Sequence, residues 1–328
     1  MLHLRSSAHN NSIIHPSGFY IIGFTSLPYS SLYVIFLAVV YVITVLSNSF
    51  VISIISFDER LHRPKFLAVG NLAVVDLILS TSLIPGMIKT YLFKDNFVPF
   101  KLCLVQMYFY YTPLCLESFS LAVLAFDRFI AICFPLRQNS INTNITMVSI
   151  LTVCWSFCIG MVMYSVYIMK YLSFCGSVLV NSYFCDYAPV FRLACNDNSM
   201  QWATATSLSL IILFGPLSLI IISYVSILIA VFKMKSVESR FKALATCTEH
   251  LILVAVFYIP ILTIFIIGFF WHGVNSDLRV LSLSLSSCIP PCLNPIIYSL
   301  KTSEIRRQAS FLLRKSIFGT LWKTVHPF

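Results

Sequence analysis

The chain has 328 residues, a formal net charge of +10, 58% hydrophobic residues and only 10% charged ones; a soluble protein carries roughly 25% charged residues. A water-soluble fold of this length has no means of covering its surface with so few charges. Composition therefore excludes that class and points to a chain embedded in a bilayer.

In chain order, residues 1–31 hold Asn, Ser and His but no long apolar core. They read as an extracellular tail without a cleavable signal peptide, with the first span expected to act as the insertion signal. Crossing ~30 Å of hydrocarbon takes ~20 apolar residues in a helix. Seven stretches meet that need: Leu32–Ser56, Phe66–Ile88, Leu102–Phe126, Ile145–Met169, Gln201–Phe232, Ala243–Trp271 and Val280–Leu300. Barrel strands are about half as long and alternate polar with apolar. These stretches do not alternate, so the expected fold is an all-α membrane protein, a seven-transmembrane helix bundle over residues 32–300. Residues 301–328 form the remaining tail. There Thr302-Ser303-Glu304 precedes Ile305, Phe311, Leu312 and Leu313, with Arg306, Arg307, Arg314 and Lys315 interspersed. This reads as a capped, short amphipathic helix lying on a membrane surface.

Charge placement orients the bundle. Arg60, Arg63 and Lys65 follow the first span, and Arg128 and Arg137 the third. Lys233, Lys235, Arg240 and Lys242 follow the fifth. The tail adds Lys301, Arg306, Arg307, Arg314, Lys315 and Lys323, so fifteen of the 22 Lys and Arg fall on one side. Positive charge stays cytoplasmic, which puts the N-terminus outside a plasma membrane and the tail inside. The net charge is then an attraction to membrane lipid of the anionic inner leaflet, not a nucleic-acid footprint. Asn10-Asn11-Ser12 is a glycosylation sequon on the outer side. Asn144-Ile145-Thr146 also matches but falls at the cytoplasmic edge, where no modification is expected.

Of eleven cysteines, Cys103, Cys175, Cys185 and Cys195 face the oxidising side, where disulfides persist. Four such residues allow two bridges in three pairings. The other seven read as small packing residues.

Ionisable groups within spans are costly and are functional candidates. Asp76 and Glu117 fall at one depth on the second and third spans. Two carboxylates so placed do not both ionise unless a cation or a proton lies between them. With Asn48 and Asn294 at similar depth, and Ser120 and Ser287 as further oxygens, the set reads as a site for a small hard cation such as sodium. The competing reading is a protonated, hydrogen-bonded pair. Where the third span leaves the membrane, Arg128 pairs with Asp127 in one state and with other groups in another. In the seventh span Pro295 removes a backbone donor and bends the helix, which lets Asn294 and Tyr298 reach polar groups inside.

The phrases around these residues resemble odorant receptors of the rhodopsin-like, class A G-protein-coupled receptor family. They are Leu61-His62-Arg63-Pro64-Lys65-Phe66, Asn71-Leu72-Ala73-Val74-Val75-Asp76, Ala125-Phe126-Asp127-Arg128-Phe129-Ile130-Ala131-Ile132-Cys133, the run from Lys242-Ala243 to Thr246-Cys247 and His250, and Pro290-Pro291-Cys292-Leu293-Asn294-Pro295-Ile296-Ile297-Tyr298. Lys65, Phe66, Phe129 and Glu249 depart from the usual pattern. The outer phrase from Tyr183 to Cys195, with Pro260, is similar to fish-type members.

The resemblance implies bridges Cys103–Cys185 and Cys175–Cys195, with sodium at Asp76 and Glu117 as the only cofactor. It also implies coupling and activation through Asp127, Arg128, Asn294, Pro295 and Tyr298, with a Gs or olfactory-type heterotrimeric G protein as partner and rising cyclic AMP as output. It places a small-molecule odorant in the outer half, between spans three, five, six and seven. The matching positions are Tyr110, Tyr111, Leu114, Cys115 and Ser118, then Ser207, Leu208, Ile211 and Ile212, then Tyr258, Ile261, Leu262 and Phe265, and finally Ser284 and Ser287. That lining suits a small, mostly uncharged molecule with one or two hydrogen-bonding atoms. Tyr110 stands where amine receptors carry an Asp, which disfavours monoamines. Lys89, Lys101, Lys170, Arg192 and Arg279 ring the outer mouth, either as solvated rim charges or as an attraction for acidic ligands.

Two other classes compete with this reading. A transporter using the Asp76/Glu117 pair is the alternative, but transporters often carry internal repeats, and the halves of this chain show none. A membrane enzyme needs paired metal ligands or a catalytic dyad. No nucleophile–base set is evident, so no enzymatic activity is expected.

Overall fold

The computed structural model describes residues 13–24, 29–270, 276–301 and 305–307, with the backbone alone for 264–270, 276 and 299–301. Asn10 and most of the expected tail helix lie outside the described residues, although 305–307 are helical. Seven long helices run through the chain: α1 (Ser30–Phe57), α2 (Pro64–Tyr91), α3 (Phe100–Cys133), α4 (Asn144–Ile168), α5 (Ser199–Lys233), α6 (Val237–Phe270) and α7 (Ser276–Lys301). Six are by themselves long and apolar enough to cross a membrane. α3 counts as the seventh when joined to Pro135–Ile141, which turns away from it by 110°. A 28-residue helix such as α1 is about 42 Å long, more than the hydrocarbon requires.

Local chemistry sets the ends. α2 starts at Pro64, whose missing N–H costs nothing in a first turn. α3 stops at Phe134 because the following Pro135 disfavours helical backbone there. The Thr143 hydroxyl caps α4 by accepting from the Thr146 N–H at 3.1 Å. Pro85, Pro113, Pro216, Pro260 and Pro295 all stand inside helices. Neighbouring helices and hydroxyls re-satisfy the carbonyls that such prolines free.

The seven helices match the seven apolar stretches, with two informative extensions. α6 begins at Val237, ahead of the expected Ala243, and α3 continues to Cys133, past the expected Phe126. An apolar run breaks at the first charge, but helical hydrogen bonding carries on into the interface. Asp127 and Arg128 consequently sit within α3 and not at its end.

A three-stranded sheet caps one end of the bundle, a feature that hydrophobic runs did not disclose. β1 (Gly18–Ile21) lies between β2 (Phe97–Pro99), to which it is antiparallel, and β3 (Leu179–Val180), to which it is parallel. Phe19 pairs with Val98 across the ladder and is fully buried against Cys103, Cys185 and Phe174. A Cβ on Gly18 would stand 2.3 Å from the Val98 carbonyl oxygen, so only glycine permits this approach. At the centre of the bundle α3 packs against α2, α4, α5 and α6. Apolar side chains on α4 and α5 such as Val153 and Ile222 are exposed. In a bilayer they form the lipid-facing belt.

Candidate functional site

Near the sheet end, α3, α4, α5, α6 and α7 enclose a cavity of about 270 Å³. Its walls are Tyr111 and Leu114 of α3, Val162, Ser165 and Val166 of α4, Leu208 and Ile212 of α5, Phe257 and Ile261 of α6 and Leu283 of α7. Tyr187 and Ala188, from a short helix in the α4–α5 loop, close it from above. That loop is anchored covalently. Cys185 is bonded to Cys103 at the start of α3, and Cys175 to Cys195 within the loop. The Cys185 N–H also donates to Gln106 Oε1 at 3.2 Å.

Asp186 is the keystone of this lid. One carboxylate oxygen accepts from the Tyr111 hydroxyl, and the other from the Ser182 hydroxyl at 3.3 Å. Burial pushes the Asp186 carboxyl above its ordinary range, opposed by those hydroxyls and by the nearby Arg279. The neighbouring Tyr187 also lines the cavity, its hydroxyl buried and, among the described residues, without a hydrogen-bond partner. The other polar groups in the lining are Tyr111, Ser165 and Ser209.

The expected ligand positions divide into three groups. Tyr111, Leu114 and Leu208, with Ile212 and Ile261, line the cavity. Several others are buried and committed to protein partners. Tyr110 bonds Ser287 Oγ at 2.9 Å, and Ser118 lies 2.7 Å from the Tyr258 hydroxyl while donating to the Ile212 carbonyl at 2.7 Å. Cys115 lies against Cys158 with sulfurs 2.8 Å apart, and Ser284 bonds the Tyr33 hydroxyl of α1 at 2.7 Å. Leu262 packs against the core. Ser207 and Ile211 are corrected: both are exposed and neither lines the cavity. α5 scatters small hydroxyl residues among apolar ones on several sides, so its sequence does not mark the inward face. The Phe265 side chain lies outside the described residues. The α4 wall was not expected at all.

Below the cavity a polar cluster joins four helices. Asn294 Nδ2 lies 3.1 Å from each Asp76 oxygen. Asn48 Nδ2 donates to the Thr44 and Pro291 carbonyls at 3.0 and 2.9 Å. Among the described residues, neither Glu117 oxygen nor Asn48 Oδ1 has a hydrogen-bond partner, and all three atoms are buried. Ser120 and Ser287 are corrected as further oxygens for this cluster. Ser120 accepts from Asn71 Nδ2 at 2.9 Å, and Ser287 belongs to the network of Tyr110.

At the end opposite the sheet, the Asp127 carboxylate accepts from Asn142 Nδ2 at 2.7 Å. Among the described residues no carboxylate lies within 4.0 Å of the Arg128 guanidinium, which is itself buried. The two side chains are thus not paired in this structure. Tyr298 is buried, its hydroxyl without a hydrogen-bond partner among the described residues. His250 of α6 lies between the Tyr224 hydroxyl of α5, 2.8 Å from Nδ1, and the Leu121 carbonyl of α3, 2.9 Å from Nε2. Since Nε2–H donates to a carbonyl, Nδ1 accepts from the tyrosine.

A family model described as olfactory receptor matches residues 37–315. The chain belongs to the olfactory receptor family. It is 33% identical to human olfactory receptor 52B2 over 90% of this chain and 92% of that protein. With human olfactory receptor 6Y1 it shares 34% identity over 91% and 90%, and with human olfactory receptor 10A5, 33% over 91% and 94%. This olfactory receptor is therefore a multi-pass membrane protein and an odorant-sensing G-protein-coupled receptor, a class that is not enzymatic.

Some residues that shape the receptor's site carried weak signals in the sequence. Asp186 and Tyr187 follow Cys185 directly, so the cysteine that anchors the loop also marks its lid. His250 stands in a recognised phrase but had no assigned partner. Asn142 carried no signal, because its contact with Asp127 depends on how the segment after Pro135 folds back.

Proposed function

We propose that this receptor binds a small, mostly uncharged odorant in the α3–α7 cavity and couples to a Gs or olfactory-type G protein, raising cyclic AMP. The observation that carries the ligand class is the cavity lining, in which apolar side chains such as Leu114, Val162 and Ile261 stand beside the hydroxyl residues Tyr111, Ser165 and Ser209. Such a lining takes a molecule with an apolar body and one or two hydrogen-bonding atoms. The cavity holds a molecule smaller than a drug.

The placement of positive charge supports an orientation with the sheet end extracellular and the Arg128 end cytoplasmic. Signalling follows as a population shift, in which the occupied cavity favours a state whose α6 moves away from α3 at the cytoplasmic end. Arg128, free of Asp127, is placed to meet the G protein there, and Asn294, Pro295 and Tyr298 transmit the change along α7. Asp76 and Glu117 are suited to sodium, because the partnerless Glu117 oxygens offer a buried anionic site that a cation satisfies. Sodium supplies positive charge to that site when bound.

The test is cyclic AMP in cells expressing the chain with an olfactory-type Gs protein, challenged with pooled neutral and acidic odorants. An Arg128→Ala variant at matched surface expression runs beside it. A response in the parent that the variant loses supports the reading. Silence to broad pools at verified surface expression counts against it.

A further inference from the structure

A second, larger space lies outside the ligand cavity. A trough of about 590 Å³ runs between the sheet-side halves of α2 and α3 and shares no lining residue with the cavity above. We infer that this trough is a binding site for a single-chain anionic amphiphile of the long-chain fatty-acid class, with its carboxylate at Lys89.

Four features select that occupant. The α3 flank is formed by Leu102, Val105 and Phe109, which are 53%, 49% and 48% exposed. On a membrane-spanning helix that exposure opens the trough sideways into hydrocarbon, so an apolar chain enters from the lipid. Its α2 wall runs from Leu77 to Thr90, about 20 Å at 1.5 Å per residue. This suits an extended acyl chain better than a compact odorant.

Lys89 is the one charged residue in its lining and stands at the end nearest the sheet, where a carboxylate meets the interface. The ammonium is held by Asp95 at 3.0 Å and by the Phe97 carbonyl at 2.9 Å. Two of its three protons are thereby used and the third is left for a ligand. Asp95 is exposed and a surface pair of this kind is weak, so it competes poorly with a bound carboxylate. Finally, Gly86 lines the trough one turn below Lys89. A Cβ there would sit 3.0 Å from Gln106 Nε2, in the space between the two helices.

The experiment uses the full-length receptor in phosphatidylcholine nanodiscs, photolabelled with a diazirine-bearing palmitic acid and mapped by peptide mass spectrometry. Label is expected on the α2 and α3 segments facing the trough. Unlabelled palmitic acid is expected to compete at least about tenfold better than methyl palmitate, and Lys89→Gln to weaken labelling by about tenfold. Val105→Trp, at an exposed position that leaves the core untouched, blocks the trough and abolishes the label. Asp95→Asn, which breaks the same salt bridge but keeps the ammonium, retains or strengthens it. This separates a role in binding from a role in folding. Equal competition by the ester, labelling indifferent to Lys89→Gln and Val105→Trp, or label spread evenly over lipid-facing helices would each overturn the inference.

Discussion

At Asp186 a carboxylate is held away from water by two hydroxyl donors and the protein around them. The folded state binds its proton more tightly than the unfolded chain, where the ordinary value is 3.8. Its contribution to stability is therefore complete below that value and is lost as pH rises through the raised folded value. Purified receptor is expected to lose thermal stability on going upward from about pH 4, and Asp186→Asn to flatten that slope. Melting temperatures of the two proteins across pH 4–7 decide the matter; parallel curves count against it. On the cavity wall, Ser209→Ala removes a hydroxyl of α5 with little change in the cavity's shape. Potency for odorants bearing a hydroxyl or carbonyl is expected to fall about tenfold, the equivalent of about 1.4 kcal/mol. A hydrocarbon analogue should be unaffected, and dose–response curves for matched pairs provide the check.

Among the elements, α6 is tied to two neighbours near its middle by His250, which bridges Tyr224 and Leu121. Each buried hydrogen bond contributes about 1 kcal/mol, and about 1 kcal/mol shifts a two-state ratio roughly fivefold. His250→Ala is thus expected to raise ligand-free cyclic AMP several-fold at matched surface expression. Unchanged basal signalling would show that α6 is held elsewhere. The helices themselves were legible in the sequence because the bilayer sets a length and forbids charges, and both show as runs of letters. The face each helix presents was not. Ser207 and Ile211 are exposed, and since lipid is as apolar as the bundle interior, α5 carries no polar stripe to mark its outer side. The sheet stayed hidden for another reason. Its strands have two to four residues, too short for an alternation to register, and their pairing joins segments far apart in the chain.

Across the whole molecule, one polar cluster links α1, α2, α3 and α7 in the middle of an apolar bundle. Asp76, Glu117, Asn48 and Asn294 were legible as a group because charges and amides within spans stand out against their background. Their separate hydrogen bonds were not, and Ser120 and Ser287 turned out to serve other partners. The cluster is incompletely satisfied, with both Glu117 oxygens lacking a donor. If sodium completes it, the folded state binds an ion that the unfolded chain does not, and stability rises with ion concentration by mass action. The gain is about 2.7 kcal/mol at a hundred times the dissociation constant. Replacing choline chloride by sodium chloride at constant ionic strength is then expected to raise the melting temperature of the purified receptor. Glu117→Gln, which keeps the size and removes the charge, should abolish that rise, and so should Asp76→Asn. A shared proton in place of the ion predicts the opposite pattern: no difference between sodium and choline in the parent protein, and a melting temperature in Glu117→Gln that is equal to or higher than the parent's.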